Sequence, residues 1–466
     1  MILLFIINMQ KSQKEAEIRD DLSYILNINI PKNQSVFIGL YKYFQKLNTE
    51  TQYQINNSED GISDKCVSFY SLIIPLIRII KSIDKFTETH FLMLIDDAHD
   101  LNIHQVKALN SWIAYRDHSD FSFKVAIVKV RKHSYSTANG SSILEGHDFL
   151  KIDMEKPFQN KFSDFGHWAK DIVERRLEKF GIGKIETTAF FPNNATVEKE
   201  FKDCEIRIRE KAEELYNADD NKAKKIADYV YKYARAEYYK NRKNQANLPQ
   251  YSGWETIVHL STGVIRNLLY PCYWMYDKEF SKLANKNDSD DIKVSEISSK
   301  SQDEVIKEKS QELWNKIEND LFNNIDNCST IQAGQIKNLF EKLVILFQDR
   351  LYSDVSEPRA ITFTISARTD LSDLANNELD ELLRISKEAQ ILYDRVSSAK
   401  EAGQRETYYV PNRLLFPIRG LDVVGQHARV SIKASELYEA AVKNKKINEK
   451  ETTGIVQQNT LFDYEY

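Results

Sequence analysis

Two adjacent carboxylates, Asp96 and Asp97, close a run of four apolar residues, Leu92, Met93, Leu94 and Ile95, in the segment LMLIDDAHDL. A short continuous apolar run fits a strand buried on both faces, the kind a parallel sheet contains. Acidic side chains at the carboxyl end of such a strand lie where open α/β sheets bind ligands. One carboxylate there can hold Mg²⁺ through water. A second can orient or deprotonate an attacking water, which is the chemistry of nucleoside triphosphate hydrolysis. Helix capping competes as an explanation, because Asp100 stands shortly before the periodic segment 105–115. Capping needs one carboxylate, however, and a pair at the strand end exceeds that need.

The pattern of four apolar residues and two acids is that of a Walker B motif, with Asp96 facing the metal and Asp97 activating water. Asp97 is one methylene shorter than the commoner Glu. The segment LMLIDDAHDLNIHQVKALNSWIAYRD, followed by FSFKVAIVKV, resembles the Walker B to sensor 1 region of origin-recognition-type AAA+ ATPases. It resembles more closely that of bacterial relatives, which are uncharacterised or defence-associated ATPases. Downstream, YSGWETIVHLSTGVIRNLLYPC (251–272) resembles the lid helix pair of the family, where GxxR opens the sensor 2 helix.

The resemblance implies an α/β fold built on a P-loop-type parallel sheet. The layout would be a core over 1–160, a helical lid over 161–284, a linker over 285–300 and a winged-helix-like domain over 301–466. It implies ATP and Mg²⁺ as cofactors and Arg266, three residues beyond Gly263, as the sensor 2 group bridging lid and γ-phosphate. An ordinary surface arginine is the alternative. Sensor 1 would project from the end of the strand 123–130, where Lys129, Arg131 and Ser134 are available and the usual Asn or Thr is absent. A solvated strand end explains those three equally well. The arginine-finger position reads LEGHD (144–148) and holds His147 but no arginine, with Arg116 as a substitute.

The phosphate-binding loop is missing. GxxxxGK[ST] works because its glycines let backbone N–H groups cradle phosphates while the lysine reaches the β/γ oxygens. No such segment occurs in the sequence. The nearest imitation, GIGK at 181–184, has Glu178 where the first glycine belongs and Ile185 where the hydroxyl belongs. It reads as the end of a helix over 167–180. The apolar opening MILLFIINM resembles the helix that follows the P-loop in the relatives. The chain therefore reads as a core lacking its first strand and Walker A, starting just downstream of its phosphate loop. Taken as written, it would bind ATP weakly or not at all.

Composition bounds the rest. At 466 residues, with 42% hydrophobic and 29% charged content, the chain is long enough for two or three domains. A net charge of −5 gives no global attraction to nucleic acid, so any contact must use a local basic face. Cys66, Cys204, Cys272 and Cys328 show no CxxC and no zinc spacing, which fits free thiols in a reducing cytoplasm. The opening apolar run is too short to span a membrane and has no basic lead, so neither a signal peptide nor a membrane anchor is expected.

Along the core, helices are expected over 1–9 and 13–25, a strand running into a helix over 35–44, and a buried helix over 67–83 kinked or started by Pro75. Further strands are expected over 123–130 and 149–154. Long charged helices follow over 167–180, 194–216, 222–244, 254–260 and 264–276, then a polar linker over 285–291 and helices over 301–322 and 335–351. No internal repeat is evident. The last part reads as a strand over 359–365, helices over 374–386 and 389–396, an extended segment over 408–417, and 428–432 pairing with it as a hairpin through a turn at 420–425. That order suggests a winged helix, in which Arg384, Lys387, Arg395, Lys400 and Arg413, with Arg405 and Arg419 nearby, would contact DNA; such domains also dock proteins. The Lys/Arg and Tyr residues of 222–243 suit either nucleic-acid stacking or helix packing. The expected function is a nucleotide-dependent switch acting on DNA, a protein effector or a second copy, with bacterial defence as a setting. The rival is a non-hydrolysing scaffold that binds DNA or protein. A nuclease using Asp96 and Asp97 is a distant third, because further carboxylates at motif spacing are missing.

Overall fold

The computed structural model describes residues 14–57, 69–114, 120–128, 133–154, 162–217, 221–242, 251–285, 293–325, 328–396, 406–425, 428–448 and 455–456. They are mostly helical, with two small sheets. The chain divides into two compact units, Met1–Ile152 and Asp153–Tyr466.

The first unit holds helices α1 (Lys14–Leu26), α2 (Val36–Asn57), α3 (Phe69–Lys81) and α4 (Ile103–Ala114), with strands β1 (Phe91–Ile95) and β2 (Phe121–Val125). Segment 35–44, expected to begin as a strand, is helical from Val36 onward, within α2. Val36 and Leu40, one helical turn apart, are buried against Ile18, Leu22 and Leu76, and this tertiary burial outweighs the β propensity of Val and Phe. Gly39 lets Ile30 approach so closely that a Cβ would lie 2.9 Å from Ile30 Cγ2. Strands β1 and β2 pair in parallel from Phe91↔Phe121 to Ile95↔Val125. One face of the pair, with Phe91, Met93, Phe121 and Phe123, packs on Phe69, Ile74 and Ile77 of α3 and on Trp112 of α4. The other face is open: Leu92 and Leu94 are exposed, which corrects the expectation of burial on both sides. Segment 149–154, expected as a third strand, makes only one isolated bridge, Glu145↔Phe149, and leaves Leu150 and Ile152 exposed.

The second unit begins with α5 (Phe162–Lys179) and α6 (Thr187–Phe190). Helices α7 (Ala195–Leu215) and α8 (Lys222–Arg242) then lie side by side, Ile208 and Ala212 facing Ile226, Val230 and Ala234. Next come α9 (Trp254–Leu260), α10 (Ile265–Ala284), α11 (Ser299–Asn319), α12 (Leu321–Asn324) and α13 (Thr330–Tyr352). Helix α13 opens on a capping box between Ser329 and Gln332 and buries Ile336, Leu339, Phe340, Leu343 and Phe347 at helical spacing. These side chains join one core that runs from Phe165 and Trp254 to Phe363 and Leu437.

The closing part contains β3 (Thr362–Ser366), α14 (Asp373–Glu388), β4 (Leu392–Val396), β5 (Thr407–Pro411), β6 (Arg429–Lys433), α15 (Ala434–Lys443) and β7 (Ile455–Val456). The sheet order is β4-β5-β3-β6-β7. Two expectations are corrected. Residues 392–396 form a strand rather than a helix, because Gln390 turns left-handed (φ +58°) and Leu392 seats its side chain in the core. The hairpin is made by β4 and β5, whereas β6 pairs in parallel with β3 from Thr362↔Arg429 to Ser366↔Lys433.

Among the described residues no helix is long and apolar enough to cross a membrane. Cys204, Cys272 and Cys328 are free, while Cys66, helix 1–9 and most of the linker at 285–291 lie outside the described residues.

Candidate functional site

Strand β1 delivers its two carboxylates to the carboxyl end of the parallel pair. The ladder runs on past the strands, with Ala126 N donating to Ile95 O at 2.9 Å and Ala98 N to Ala126 O at 3.0 Å. Between those bonds the chain turns out through Asp97, whose left-handed φ of +50° is one that Asp tolerates better than most residues. Asp96 Oδ1 accepts from Asp97 N at 3.0 Å, and a 3₁₀ turn over Ala98–Asp100 leads to α4. Both carboxylates are exposed.

The cap of α4 decides between the two explanations of the acidic residues. Asn102 Oδ1 accepts from His104 N and Gln105 N, each at 3.0 Å, and Gln105 Oε1 accepts from Asn102 N at 2.9 Å. The first donors of the helix are thus satisfied by an amide capping box. Asp96 and Asp97 carry no capping duty, and Asp100 sits beside His99 at 3.6 Å.

Two carboxylates suit a Mg²⁺ ion that keeps several waters and takes its other ligands from phosphates. No cluster of three or more His, Cys, Asp or Glu suited to a metal occurs among the described residues, so a dedicated cage is absent there. The phosphate side does not fit in the same way. GIGK ends α5, with Ile182 N donating to Leu177 O at 3.0 Å and Gly181 left-handed at φ +82°, so it caps a helix instead of cradling phosphate. Lys129, Arg131 and Arg116 lie outside the described residues. Ser134 is turned into structure, its carbonyl accepting from the buried Asn110 side chain at 2.7 Å. His147 pairs with Asp148 at 3.5 Å.

Arg266 belongs to the second unit. It stands exposed on the first turn of α10, behind a turn in which Thr262 (φ +56°) and Gly263 (φ +78°) are both left-handed. Thr262 is buried, and groups from the C-terminal sheet converge on it. Arg395 Nη2 donates to Thr262 O at 2.5 Å, and Arg413 N donates to Thr262 Oγ1 at 3.1 Å. Asn267 Nδ2 donates to Tyr393 Oη at 2.9 Å. Arg413 Nη1 lies 2.9 Å from His259 Nδ1. Burial pushes the His259 pKa down and the Arg413 charge adds to that, while Glu255 opposes it. The sequence marks Gly263 and Arg266 but not this clamp, whose two bonds to Thr262 span 133 and 151 residues.

The other proposed DNA contacts are spent inside the chain. Arg384 pairs with Glu381 at 2.8 Å and Glu388 at 2.6 Å, and Lys387 with Asp394 at 3.2 Å. Arg419 stacks over Trp314 at 4.6 Å, and Lys400 and Arg405 lie outside the described residues. In α8, Lys232 pairs with Glu357 at 2.8 Å and Asp228 at 2.9 Å, Lys240 with Asp354 at 2.6 Å, and Arg242 with Glu200. Tyr238 and Tyr239 are buried, and Tyr229 and Tyr233 pack ring to ring at 4.5 Å. The basic–aromatic pattern of α8 thus serves helix packing.

A parallel strand pair ending in adjacent carboxylates, joined to a largely helical second unit, is the kind of arrangement found in AAA+ ATPases. The family model described as ORC-CDC6-like matches residues 2–432, and the chain belongs to that family, so it is an origin-recognition-type AAA+ ATPase-like protein. Such membership suggests ATP and Mg²⁺ use in general terms. No curated protein and no solved structure matches the chain.

Proposed function

We propose that the protein is a nucleotide-responsive switch of the origin-recognition AAA+ type, with Asp96 facing Mg²⁺, Asp97 orienting the attacking water and Arg266 answering to the γ-phosphate. The observation that carries this reading is the Asn102 cap of α4, which relieves the carboxylate pair of capping that helix. The reading requires a phosphate cradle, and none of the 466 residues form GxxxxGK[ST]. Without one, backbone N–H donors and a lysine are lost, charge-assisted contacts worth roughly 1.5–3 kcal/mol each. The 466-residue chain is therefore expected to show no saturable ATP binding at micromolar concentration in calorimetry. Tight binding would overturn the account of the phosphate side.

The C-terminal sheet supports a winged-helix reading in part. Strand β3, helix α14 and the β4–β5 hairpin follow in that order, and β5 lies antiparallel between β4 and β3. DNA is the proposed partner on that face, acted on in a bacterial defence setting. A second reading, a scaffold that docks a protein effector or a second copy, is favoured by the intrachain pairing of Arg384, Lys387, Arg395 and Arg413, since a phosphate would have to displace those bonds. Salt dependence of DNA binding separates the two, because each cation on a phosphate adds about one unit of log–log slope.

A further inference from the structure

Thr262 combines three features that rarely meet. It is β-branched, it is buried, and its φ is +56°. A β-branched side chain in the left-handed region is strained, and such a residue persists only where its surroundings over-determine it. The turn supplies part of that constraint: Thr262 N donates to His259 O at 3.2 Å, Thr262 Oγ1 to Leu260 O at 3.3 Å, Gly263 N to Ser261 Oγ at 3.2 Å and Val264 N to Ser261 O at 3.0 Å, but none of these bonds engages the Thr262 carbonyl. The rest comes from the C-terminal sheet. A guanidinium donor on a carbonyl is a charge-assisted bond, and the one from Arg395 to Thr262 O, at 2.5 Å, is the shortest contact in the cluster. Arg413 holds the hydroxyl through its backbone N–H, and Tyr393 holds Asn267 on the first turn of α10. The fit leaves no slack, since a Cβ on Gly263 would lie 2.9 Å from Arg395 Nη2.

We propose that the Ser261–Gly263 turn is a strained latch held closed by the β4–β5 hairpin and the segment after it, through Arg395 and Arg413. Displacing that hairpin, as a bound partner would, lets Thr262 relax out of the left-handed region and frees the first turn of α10 with Arg266. By reciprocity, whatever fixes Arg266 also fixes the hairpin. The role of Arg266 rests on the nucleotide reading above, whereas the latch does not. Arg395 and Arg413 are positioning residues in this scheme, and the element with two states is the turn itself.

Amide hydrogen exchange on the full chain, without nucleotide, tests the latch separately from the calorimetry of ATP. The reporters are the amides of Gly263, Val264 and Leu268, which donate to Ser261 Oγ, Ser261 O and Val264 O. Arg395→Ala should speed their exchange about tenfold while the buried amides of α13 stay unchanged. Arg395→Lys, which keeps one donor, should have a smaller effect. Thr262→Asn provides the discriminating background, because Asn tolerates the left-handed region and keeps a side-chain acceptor. With the strain removed, Arg395→Ala should change the same amides less than about threefold. An equal rise in both backgrounds would mean that Arg395 is merely a packing contact, and the proposal falls. It falls equally if Arg395→Ala leaves the reporters unchanged. Should Arg395→Ala lose its fold, seen as loss of protection in α13, the comparison of Arg395→Lys with the wild type across the two backgrounds decides the matter in the same way.

Discussion

Asp422→Asn tests the electrostatic joint between α8 and the segment before β6. The carboxylate accepts from Arg235 Nε at 3.0 Å and Nη2 at 2.8 Å, from Arg359 Nη1 at 3.0 Å and from Val424 N at 3.1 Å. Arg359 is also tied to Gly425 O at 2.8 Å and Tyr231 O at 2.6 Å, so it cannot swing out to water when its counter-charge is removed. Breaking one partner of a buried pair costs about 3–5 kcal/mol, because a charge is left uncompensated. The side chain of Arg235 is 31% exposed and can rehydrate, whereas that of Arg359 is 1% exposed, so the lower end, about 3 kcal/mol, is expected. At roughly 2–4 °C per kcal/mol for a unit of a few hundred residues, the melting temperature should fall by about 6–12 °C. Scanning calorimetry at pH 7 measures it. The double variant Asp422→Leu with Arg359→Met removes both charges of the buried pair and should recover much of the loss. A fall of less than about 2 °C in the single variant, or no recovery in the double, would refute the reasoning.

The same joint sets a pH dependence. Burial alone would raise the Asp422 carboxyl, but Arg235 and Arg359 outweigh it and hold the group well below the usual carboxylate range. A depressed folded pKa contributes stability that is complete above the unfolded value, about 3.9, and is lost as pH falls toward the folded value. The gap between wild type and Asp422→Asn should therefore be constant from neutral pH down to about pH 5 and shrink below about pH 4.

Other outcomes follow from single contacts. In a preparation that hydrolyses ATP, Asp97→Asn should abolish turnover and leave nucleotide binding largely intact; joint loss in a paired assay would make Asp97 structural. Asn102→Ala should cost about 1 kcal/mol in urea unfolding, since it removes the cap of α4. Gly253→Ala should cost more, because its φ is +92° and a Cβ would lie 1.5 Å from Asn193 Oδ1. Arg384→Ala should leave the salt slope of any DNA binding unchanged, because its guanidinium is held by Glu381 and Glu388; a slope lower by about one unit would return it to the DNA face.

What could be read from the sequence was local. The strand of β1, the exit of its two carboxylates and the helical hairpin of α7 and α8 all follow from patterns within about twenty residues. Segments decided by distant partners were misread. Val36–Leu40 looks like a strand until the buried face of α1 is set against it, and Leu392–Val396 looks helical until β5 arrives to pair with it. The candidate residues of the two units divide along the same line. Asp96 and Asp97 announce themselves by position on one strand. The partners of Thr262, 133 and 151 residues away in sequence, leave no local sign, and Arg395 and Arg413 look like surface cations until their acceptors are known.

The chain also contains an internal control for its own acidic motif. After β1 come Asp96, a left-handed Asp97, a 3₁₀ turn over Ala98–Asp100, Leu101 and the cap Asn102. Strand β3 ends on Ser366, and after it come a left-handed Ala367 (φ +49°), a 3₁₀ turn over Arg368–Asp370, Leu371 and the cap Ser372. Each strand has a parallel neighbour, β2 or β6. The turn bonds recur, Asp100 N to Asp97 O at 2.9 Å and Asp370 N to Ala367 O at 3.2 Å. The two segments carry no evident sequence repeat, because only the Ile before the exit, the Asp closing the turn and the Leu after it coincide. Where the backbone is the same, the fold cannot be what demands acidic residues: Ser366 and Ala367 make the same exit without them. Asp97 even occupies a left-handed position that Ala fills in the second copy, so its carboxylate is not required for the turn. The turn itself therefore does not call for a pair of carboxylates, although Asp96 Oδ1 accepts from Asp97 N within it. Among the described residues no ion pair holds Asp96 or Asp97, and the proposed Mg²⁺ role gives these two exposed carboxylates, at the carboxyl end of a parallel strand, a task that the turn does not.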